Sequence, residues 1–277
     1  MFRHSFHDLM NLYINRNRNI RRVDIESIII HVTKKSREFI YTYPTYPVTI
    51  KQKKLLHKLF LELQNGKPIS YIVGETEFWS IKLLVSKGIL IPRPDTETIV
   101  ETVLDLYENN FIKLLELGTG SGAVSIALKK ERKHWSILGT DISKKCIRCA
   151  KQNAHMNNIK GINFTVSDWF ENIGNEKFHI IISNPPYLCK KDKCIDQSVL
   201  KWEPHHALFS RKRGLADIEK IIKNSTSHLK KTGMLILEHG FKQSFEVRKI
   251  FMRYGYFHIK HIRDLNKNIR VTLGVFG

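Results

Sequence analysis

The sequence predicts an α/β fold: a seven-stranded, doubly wound, mostly parallel sheet that follows a small helical domain. Three observations support this prediction. The first 70 or so residues show helical periodicity without strand-like alternation, strand and helix patterns alternate after Thr96, and a glycine-rich turn joins the first strand of that alternation to its helix. We therefore expect a helical domain over residues 1–74, a hairpin and linker over 75–95, and the α/β domain over 96–277.

The composition is that of a folded protein that can bury a full core. The chain has 277 residues, of which 42% are hydrophobic and 26% charged, as in ordinary globular domains. It contains no apolar run of about 18 residues, the length that a membrane helix needs. Residues 1–19 lack the apolar core of a secretory signal. We expect a cytoplasmic protein without membrane contact.

The chain is strongly basic, with a net charge of +20. Because Lys and Arg neutralise phosphates, one interpretation is an affinity for ribosomal or RNA-bound partners; the other is a general drift toward Lys-rich composition. The four cysteines do not form a disulfide framework. Cys146 and Cys149 have the C-x-x-C spacing but no second ligand pair, so we expect ordinary reduced thiols.

Two amphipathic helices are predicted in the front part of the chain. Asp24 is expected to cap the first. Thr49 and Gln52 form a capping box for the second, and Gly66 and Pro68 end it.

The segment that follows changes to a strand pattern. Residues 77–90 include Phe78 and Ile81 around a predicted hairpin. Pro92 and Pro94 then break regular structure and stiffen residues 91–95, which we interpret as a joint between domains.

Strand and helix patterns alternate over the rest of the chain. Strands are predicted at residues 113–117, 136–141, 163–166, 179–183 and 234–238, and helices at 121–130, 143–156, 215–230 and 241–254. A final pair of strands, 257–262 and 270–276, has no helix between its members. Repeated βαβ units imply a parallel sheet covered on both faces, and the final pair implies an antiparallel last strand.

The glycine-rich turn is the first candidate for a ligand site. It consists of Gly118, Thr119, Gly120, Ser121 and Gly122, directly after the first strand of the sheet. Glycines allow the backbone to turn sharply and to approach a ligand closely, so we expect a nucleoside cofactor here. The turn alone does not identify the cofactor, because NAD and FAD sites use similar turns.

Acidic and aromatic residues follow the next two strands. Asp141 comes about 20 residues after the turn, where an acid accepts hydrogen bonds from ribose hydroxyls; the alternative is that it caps the helix near Ser143. Asp168 can accept from an exocyclic amine while Trp169 covers an aromatic ring, as adenine requires. The alternative is a core tryptophan beside a turn aspartate.

The fourth strand ends in Asn184, Pro185, Pro186 and Tyr187. The prolines stiffen this loop and remove backbone donors, so carbonyl oxygens and the Asn184 side-chain oxygen are left to accept hydrogen bonds from an NH₂ group. Such acceptors orient a planar nitrogen for attack, and Tyr187 can lie against the planar group. A strong base is not required when the methyl donor is a sulfonium. We expect Asn184, Pro185 and Tyr187 to be catalytic and all four residues to bind substrate.

The sequence resembles the protein-glutamine methyltransferases that modify peptide chain release factors. The resemblance covers nearly the whole chain. The shared segments are residues 66–69, 77–79, 91–97, 117–122, 167–170, 183–187, 202–204, 237–240 and 270–274. Segments 91–97 and 237–240 are much more specific than the glycine turn and the 184–187 loop, which other methyltransferases share.

The resemblance implies a Rossmann-like class I S-adenosylmethionine-dependent methyltransferase fold. It also implies methyl transfer to the side-chain amide of the glutamine in the Gly-Gly-Gln motif of release factors, which supports translation termination. Residues 118–122 with Asp141, Trp169 and Asn184 map onto cofactor positions, and residues 184–187 onto those that hold the glutamine. The front domain would help to bind the release factor. For Arg93, Glu97 and Glu238 two roles remain open: they organise the pocket, or they form structural salt bridges.

Two other readings remain open on the residues alone. An exocyclic amine of adenine (N6) or guanine (N2) in RNA or DNA also suits the 184–187 loop, although a duplex base would have to be flipped out. A catalytically silent RNA- or ribosome-binding module is the second. We expect a monomer that needs no direct contact with nucleic acid. His205, His206 and the other histidines lack metal-ligand spacing, so no metal is expected.

Overall fold

The computed structural model describes residues 5–16, 20–108, 111–192 and 195–277. The chain forms two compact units. The first contains the chain up to Glu75 together with Asp196–Trp202, and the second contains Thr76–Ile195 and Glu203–Gly277. The hairpin and the proline-rich segment thus belong to the second unit. Among the described residues, no helix has the length and apolarity to cross a membrane.

The first unit is helical, as predicted. Its helices are α1 (Phe6–Arg16), α2 (Arg22–Thr33), α3 (Arg37–Thr42), α4 (Ile50–Gln64) and α5 (Ile69–Val73). Leu9, Ile29, Leu56 and Phe60 are buried together between them. Each helix therefore contributes an apolar face to one core, which stabilises helices too short to persist alone.

One of the two predicted helix caps is confirmed and one is wrong. Thr49 Oγ1 accepts from the backbone N–H of Gln52 at 3.2 Å, and Gln52 Oε1 accepts from that of Thr49 at 3.0 Å. Asp24, by contrast, lies inside the first turn of α2, where it accepts from the Arg21 guanidinium at 2.9 and 2.8 Å. A carboxylate in this turn still favours the helix through the helix dipole. Both oxygens of Asp24, however, are hydrogen-bonded to Arg21 and do not cap the helix.

The predicted hairpin is formed by β1 (Glu75–Phe78) and β2 (Ile81–Leu84), and all of it except Glu75 lies in the second unit. Trp79 and Ser80 both adopt left-handed φ values, 51° and 52°, as a two-residue hairpin turn requires. The backbone N–H of Trp79 donates to Glu97 Oε1 at 2.7 Å, and its indole N–H donates to Glu131 Oε1 at 3.0 Å. An Asn-Gly pair adopts these φ values with less strain. In this chain the two hydrogen bonds of Trp79 offset part of the strain.

The sheet has the predicted fold class. Its strands are β3 (Lys113–Leu117), β4 (Ser136–Asp141), β5 (Ile162–Val166), β6 (Phe178–Ser183), β7 (Leu229–Glu238), β8 (Tyr256–Arg263) and β9 (Ile269–Phe276). Their order is β5-β4-β3-β6-β7-β9-β8. The pairs among β3 to β7 are parallel, whereas β9 runs antiparallel to both of its neighbours.

Helices cover both faces of this sheet. Those that pack against it are α6 (Glu97–Leu106), α7 (Ala123–Glu131), α8 (Lys144–Met156), α12 (Ala216–Ser225) and α13 (Ser244–Arg253). The other helices are α9 (Gln197–Trp202), which belongs to the first unit, and the short α10 (His205–Leu208) and α11 (Arg211–Gly214). Leu114 belongs to one apolar core and Leu115 to the other, and Ile180 and Ile181 alternate in the same way. Alternation between two cores confirms that the parallel strands are buried on both faces.

Several boundaries differ from the prediction. The helix expected at residues 215–230 ends at Ser225, because the hydroxyls of Ser225, Thr226 and Ser227 donate to nearby backbone carbonyls at its end. Strand β7 consequently starts at Leu229 rather than 234. Helix α6 was not predicted at all, although a 3₁₀ turn at Pro94–Thr96 leads straight into it.

Gly214 is the glycine whose replacement would disturb the sheet edge most directly. Its φ is +88°, and a Cβ there would lie 2.0 Å from the Tyr187 carbonyl oxygen. Gly174 is a matched control, because its φ is +65° but a Cβ would meet nothing within 4 Å.

We predict that Gly174→Ala lowers the free energy of unfolding by about 1 kcal/mol through backbone strain alone. Gly214→Ala should lower it by about 3 kcal/mol, since a steric clash with backbone adds to the same strain. Urea unfolding followed by circular dichroism measures both. Equal unfolding midpoints for the two variants would contradict the close contact with Tyr187.

Candidate functional site

The predicted site residues follow the carboxyl ends of four adjacent parallel strands. Leu117 at the end of β3 is level with Thr140 in β4 and Ser183 in β6. Asp141, the last residue of β4, is level with Val166 in β5. The chain order reverses between β3 and β6, so the glycine turn and the 184–187 loop leave the sheet side by side at the switch point, where ligands bind in open α/β sheets.

The glycine turn depends on backbone that only glycine adopts readily. Gly118, Gly120 and Gly122 all have positive φ values, of 74°, 57° and 84°. A Cβ on Gly122 would lie 3.0 Å from the Cβ of Ala150 in α8. The first two glycines thus open the turn toward a ligand, while the third allows α7 and α8 to pack closely.

A cavity of about 450 Å³ lies over this edge of the sheet, within the range of small-molecule sites. Its wall includes most of the predicted site residues: Gly118, Thr119, Gly120, Ser121, Asp141, Asp168, Trp169, Asn184 and Pro186. Gly122, Pro185 and Tyr187 are not part of the wall.

Asp141 stabilises the glycine turn through hydrogen bonds to the backbone. Its Oδ2 accepts from the backbone N–H of Gly120 at 2.9 Å, and its Oδ1 accepts from that of Ser143 at 2.8 Å. The cap of α8 is Ser143, whose hydroxyl accepts from Cys146 N–H at 3.3 Å, so Asp141 is not the helix cap. Burial raises the pKa of Asp141, and the two backbone bonds oppose that shift. Each oxygen keeps a lone pair for a ligand hydroxyl.

Trp169 is held in a strained backbone conformation, with φ of 49°. Ser167 spans this turn: its hydroxyl donates to the Trp169 carbonyl at 2.9 Å and accepts from Asn172 N–H at 3.0 Å. Residues in such conformations cluster at ligand sites. Asp168 lies beside it, and its Oδ1 accepts from Lys220 Nζ at 3.1 Å.

Asn184 is linked to two residues from distant parts of the chain. Its Nδ2 donates to Thr96 Oγ1 at 3.0 Å, and Thr96 Oγ1 donates to Glu238 Oε2 at 2.7 Å. Tyr187 also turns toward Glu238, donating its hydroxyl to Oε1 at 3.0 Å. Burial, followed by the charge of Glu238, raises the pKa of Tyr187, so this phenol is a hydrogen-bond donor.

Glu116 is a cavity residue that the sequence reasoning missed. Its Oε2 accepts from Thr119 Oγ1 at 2.7 Å and from Ser125 N–H at 3.1 Å, as well as from the Ser125 hydroxyl. Burial raises the pKa of Glu116 to about 7 despite these bonds. The available signal was an acidic residue between the leucines of strand β3, directly before the glycine turn.

Arg93, Glu97 and Glu238 lie at three different places in the structure. Arg93 lines the cavity and forms an ion pair with Glu203, a carboxylate that is 2% exposed. Glu97 holds the hairpin turn through Trp79. Glu238, at 1% exposure, belongs to the Asn184 network. One of the three is therefore at the cavity wall, one at the hairpin and one beneath the 184–187 loop.

Cys146 lines the cavity but does not add a reactive thiol to it. Burial raises the pKa of the Cys146 thiol to about 12, so it is not a reactive thiolate. Within residues 5–16, 20–108, 111–192 and 195–277, no cluster of three or more His, Cys, Asp or Glu side chains could hold a metal ion.

The residues present fit a cationic nucleoside cofactor. A Cβ on Gly120 would meet no atom within 4 Å and would project into the cradle that the glycine leaves open. In the described part of the chain, the hydrogen bonds to Glu116 all end on Oε2, which leaves Oε1 for a cation. Asp141 offers lone pairs for ribose hydroxyls, and Trp169 offers a flat face.

Comparisons with known proteins identify the family and the fold. The family model of the methyltransferase small domain matches residues 96–206, and that of the PrmC N-terminal domain matches residues 14–74. In solved structures, the chain is similar to a methyltransferase from Pyrococcus furiosus, with a TM-score of 0.55, 17% identity and coverage of 78% of this chain and 97% of that one. That likeness concerns the fold alone.

Curated relatives are much closer in sequence. A release factor glutamine methyltransferase of Buchnera aphidicola subsp. Schizaphis graminum is 42% identical over 253 residues, which cover 91% of this chain and 92% of the relative. That of Escherichia coli (strain K12) is 39% identical over 253 residues, with 91% of each chain covered. At this identity over nearly the full length, the chain belongs to the release factor glutamine methyltransferase family.

Proposed function

We propose that the chain transfers a methyl group from S-adenosylmethionine to the side-chain amide nitrogen, N5, of the glutamine in the Gly-Gly-Gln motif of peptide chain release factors. Methylation of this glutamine supports translation termination. The observation that carries the proposal is the orientation of Asn184 beside the glycine turn. Its NH₂ group is bonded to Thr96, so its oxygen is the group left to accept from an incoming amide.

The cofactor would be held by residues 118–122, Glu116, Asp141, Asp168, Trp169 and Asn184. Bound S-adenosylmethionine supplies an electrophilic methyl group on a sulfonium. The open turn supports close approach of the ligand, Asp141 supports binding of ribose hydroxyls, and Trp169 supports stacking on adenine. The Glu116 carboxylate adds a negative charge in a low-dielectric wall, which favours a cationic ligand.

The acceptor would be held by Asn184, Pro185, Pro186 and Tyr187. Asn184 Oδ1 and the Pro185 carbonyl are proposed to accept the two hydrogens of the substrate NH₂ group. These acceptors orient a nitrogen whose lone pair is delocalised, and they stabilise the positive charge that develops on it during transfer. The proton leaves afterwards, so no residue acts as a strong base.

The match of residues 14–74 to the PrmC N-terminal domain supports a role for the helical domain, 1–74, in binding the release factor. Residues 75–95 would be the hairpin and linker, and residues 96–277 the catalytic domain. We further propose that the chain is cytoplasmic, since release factors act in the cytoplasm. We also propose that it is a monomer and that it needs no direct contact with nucleic acid.

The direct test is transfer of label from isotopically labelled S-adenosylmethionine, with release factor, RNA or DNA offered separately and the label mapped by mass spectrometry. We expect label on the glutamine of the Gly-Gly-Gln motif. Label confined to an adenine or guanine base would overturn the proposal. Cofactor binding without label on any acceptor would indicate the catalytically silent module.

Asn184→Ala should lower kcat by about 10²- to 10³-fold, because one of the two acceptors for the substrate NH₂ group is lost. The Kd of S-adenosylmethionine, measured by calorimetry, should change much less. Asn163→Ala, at an exposed position in β5, is the matched control and should transfer methyl at the parent rate. Parent-like turnover of Asn184→Ala would show that the role assigned to Asn184 is wrong.

The Glu116 carboxylate should make cofactor affinity depend on pH. Its pKa is about 7, so it is ionised above neutrality and loses its attraction for a cation as the pH falls. The compared quantity is the Kd of the parent for S-adenosylmethionine divided by that of Glu116→Gln. We predict that this ratio is about tenfold higher at pH 6 than at pH 8. The ratio of the two Kd values at each pH, from calorimetry, cancels titration of the ligand. A ratio that stays constant between pH 6 and 8 would exclude the carboxylate as a cofactor contact.

A further inference from the structure

We propose that Thr96 and Glu238 are positioning residues that hold the Asn184 amide in the one orientation able to accept a substrate N–H, and that protonation of Glu238 reverses this orientation. The inference rests on the proposed function, because it concerns how Asn184 would hold the glutamine amide. Thr96 belongs to segment 91–97 and Glu238 to segment 237–240, so each segment contributes to the 184–187 loop, from which it is distant in the chain.

The direction of the network follows from counting donors. Thr96 and Glu238 are 5% and 1% exposed, so their polar atoms rely on each other rather than on water. An ionised Glu238 can only accept, and it accepts from Thr96 at Oε2 and from Tyr187 at Oε1. The single hydroxyl hydrogen of Thr96 is thereby used, and Thr96 Oγ1 must act as the acceptor toward Asn184.

An amide side chain has two ends, and this network selects one of them. Because Thr96 Oγ1 accepts, Asn184 presents Nδ2 to it at 3.0 Å, and Oδ1 is the end that remains for the cavity. A substrate NH₂ group needs an acceptor, so this is the productive orientation. The opposite orientation would offer the substrate a second NH₂ group.

The three residues are brought together by three different elements. Glu238 ends β7, which is paired with β6 so that Leu237 is level with Ser183, the residue before Asn184. Thr96 ends the 3₁₀ turn that precedes α6. The Asn184 rotamer therefore depends on the register of the sheet and on the position of the proline-rich segment.

Charged groups surround Glu238 but do not neutralise it. Arg270 is 12% exposed, and its guanidinium lies 3.0 Å from Asp95 and 3.3 Å from Asp264. Tyr187 and Arg270 favour the ionised form of Glu238, whereas Asp95 opposes it. His239 lies next in the chain; its pKa is lowered by burial to about 4, so it stays neutral near pH 7. Burial outweighs these effects and raises the pKa of Glu238 to about 7.

Protonation of Glu238 changes the hydrogen-bond pattern without breaking it. A protonated carboxyl donates through Oε2 to Thr96, while Oε1 still accepts from Tyr187. The Thr96 hydroxyl hydrogen then turns to Asn184, which must accept with Oδ1 and point its NH₂ group toward the cavity. The enzyme would thus lose its substrate acceptor as the pH falls through about 7.

The first test compares two replacements of Thr96 and a control. Thr96→Val keeps the shape but removes the hydroxyl, and it should lower kcat by about 100-fold, the effect expected of a misplaced group. Thr96→Ser restores the hydroxyl and should stay within about threefold of the parent. Thr102→Val removes another buried hydroxyl, one that donates to the Thr98 carbonyl at 2.7 Å, and should leave kcat unchanged. All are assayed at a temperature at which circular dichroism shows the folded state.

The second test is the pH profile. For the parent, kcat at saturating cofactor and release factor should fall about tenfold per pH unit below pH 7. Glu238→Gln should show no such acid limb, whatever its turnover at pH 8, because it has no proton to gain. Parent-like kcat in Thr96→Val, equal losses in the Val and Ser variants, or an unchanged acid limb in Glu238→Gln would each overturn the proposal.

A third measurement separates this inference from the proposed function. Exchange of the Asn184 side-chain NH₂ protons with solvent is followed by NMR at pH 8, with the signals assigned through Asn184→Asp. Exchange should be slow in the parent and Thr96→Ser and faster in Thr96→Val. If the parent methylates no release factor, the proposed function fails while this exchange still decides the role of Thr96; identical exchange rates in all three proteins would refute it.

Discussion

Parallel pairing of β3 with β4 on one side and with β6 on the other is the constraint on which the cavity depends. The paired residues Leu117, Thr140 and Ser183 bring three strand ends to the same level. The glycine turn and Asn184 each begin where backbone pairing stops, and Asp141 is the last paired residue of β4. A slip of one residue in either pair would turn side chains to the opposite face of the sheet, and it would also separate Asn184 from Thr96. The apolar cores on both faces hold this register, since the buried leucines of β3 and the buried Phe178 and isoleucines of β6 belong to one or the other of them.

The same edge gathers buried carboxylates at a cost in stability. Glu116, Asp141 and Glu238 are 5%, 9% and 1% exposed, and burial is the largest influence on the pKa of each. Hydrogen bonds from backbone and hydroxyl groups offset part of the desolvation. Such an arrangement is typical of functional sites, where charge is held in place for a ligand rather than for the fold. In the proposed function, the two carboxylates with pKa values of about 7 make different steps depend on pH: Glu116 would contact the cofactor, and Glu238 would act on the acceptor through Thr96 and Asn184.

Strained backbone conformations stabilised by hydrogen bonds occur both at the cavity and away from it. Trp169, at the end of β5, adopts a left-handed backbone that Ser167 stabilises with two hydrogen bonds. Trp79 and Ser80 do so at the hairpin, where Glu97 and Glu131 supply the bonds. In both places the Cβ of an L-residue disfavours the conformation, and hydrogen bonds stabilise it. The hairpin contacts lie away from the cavity wall, so the strain there serves the fold, whereas Trp169 lines the cavity in which we propose that it stacks on the cofactor.

Local patterns in the sequence were sufficient for the element types, the fold class and the ends of strands β3, β4, β5 and β6, because hydrophobic period and glycine positions are properties of neighbouring residues. They also singled out the glycine turn and the 184–187 loop. They were insufficient for α6, for the cap of α2 and for the start of β7, where side-chain partners decided the boundary. The hydrogen-bond partners of Thr96, Glu116 and Glu238 were decided only by tertiary structure. Thr96 lies 88 residues from Asn184 and 142 from Glu238, so the direction of their hydrogen bonds is set by strand register, burial and donor count, none of which is a property of one segment.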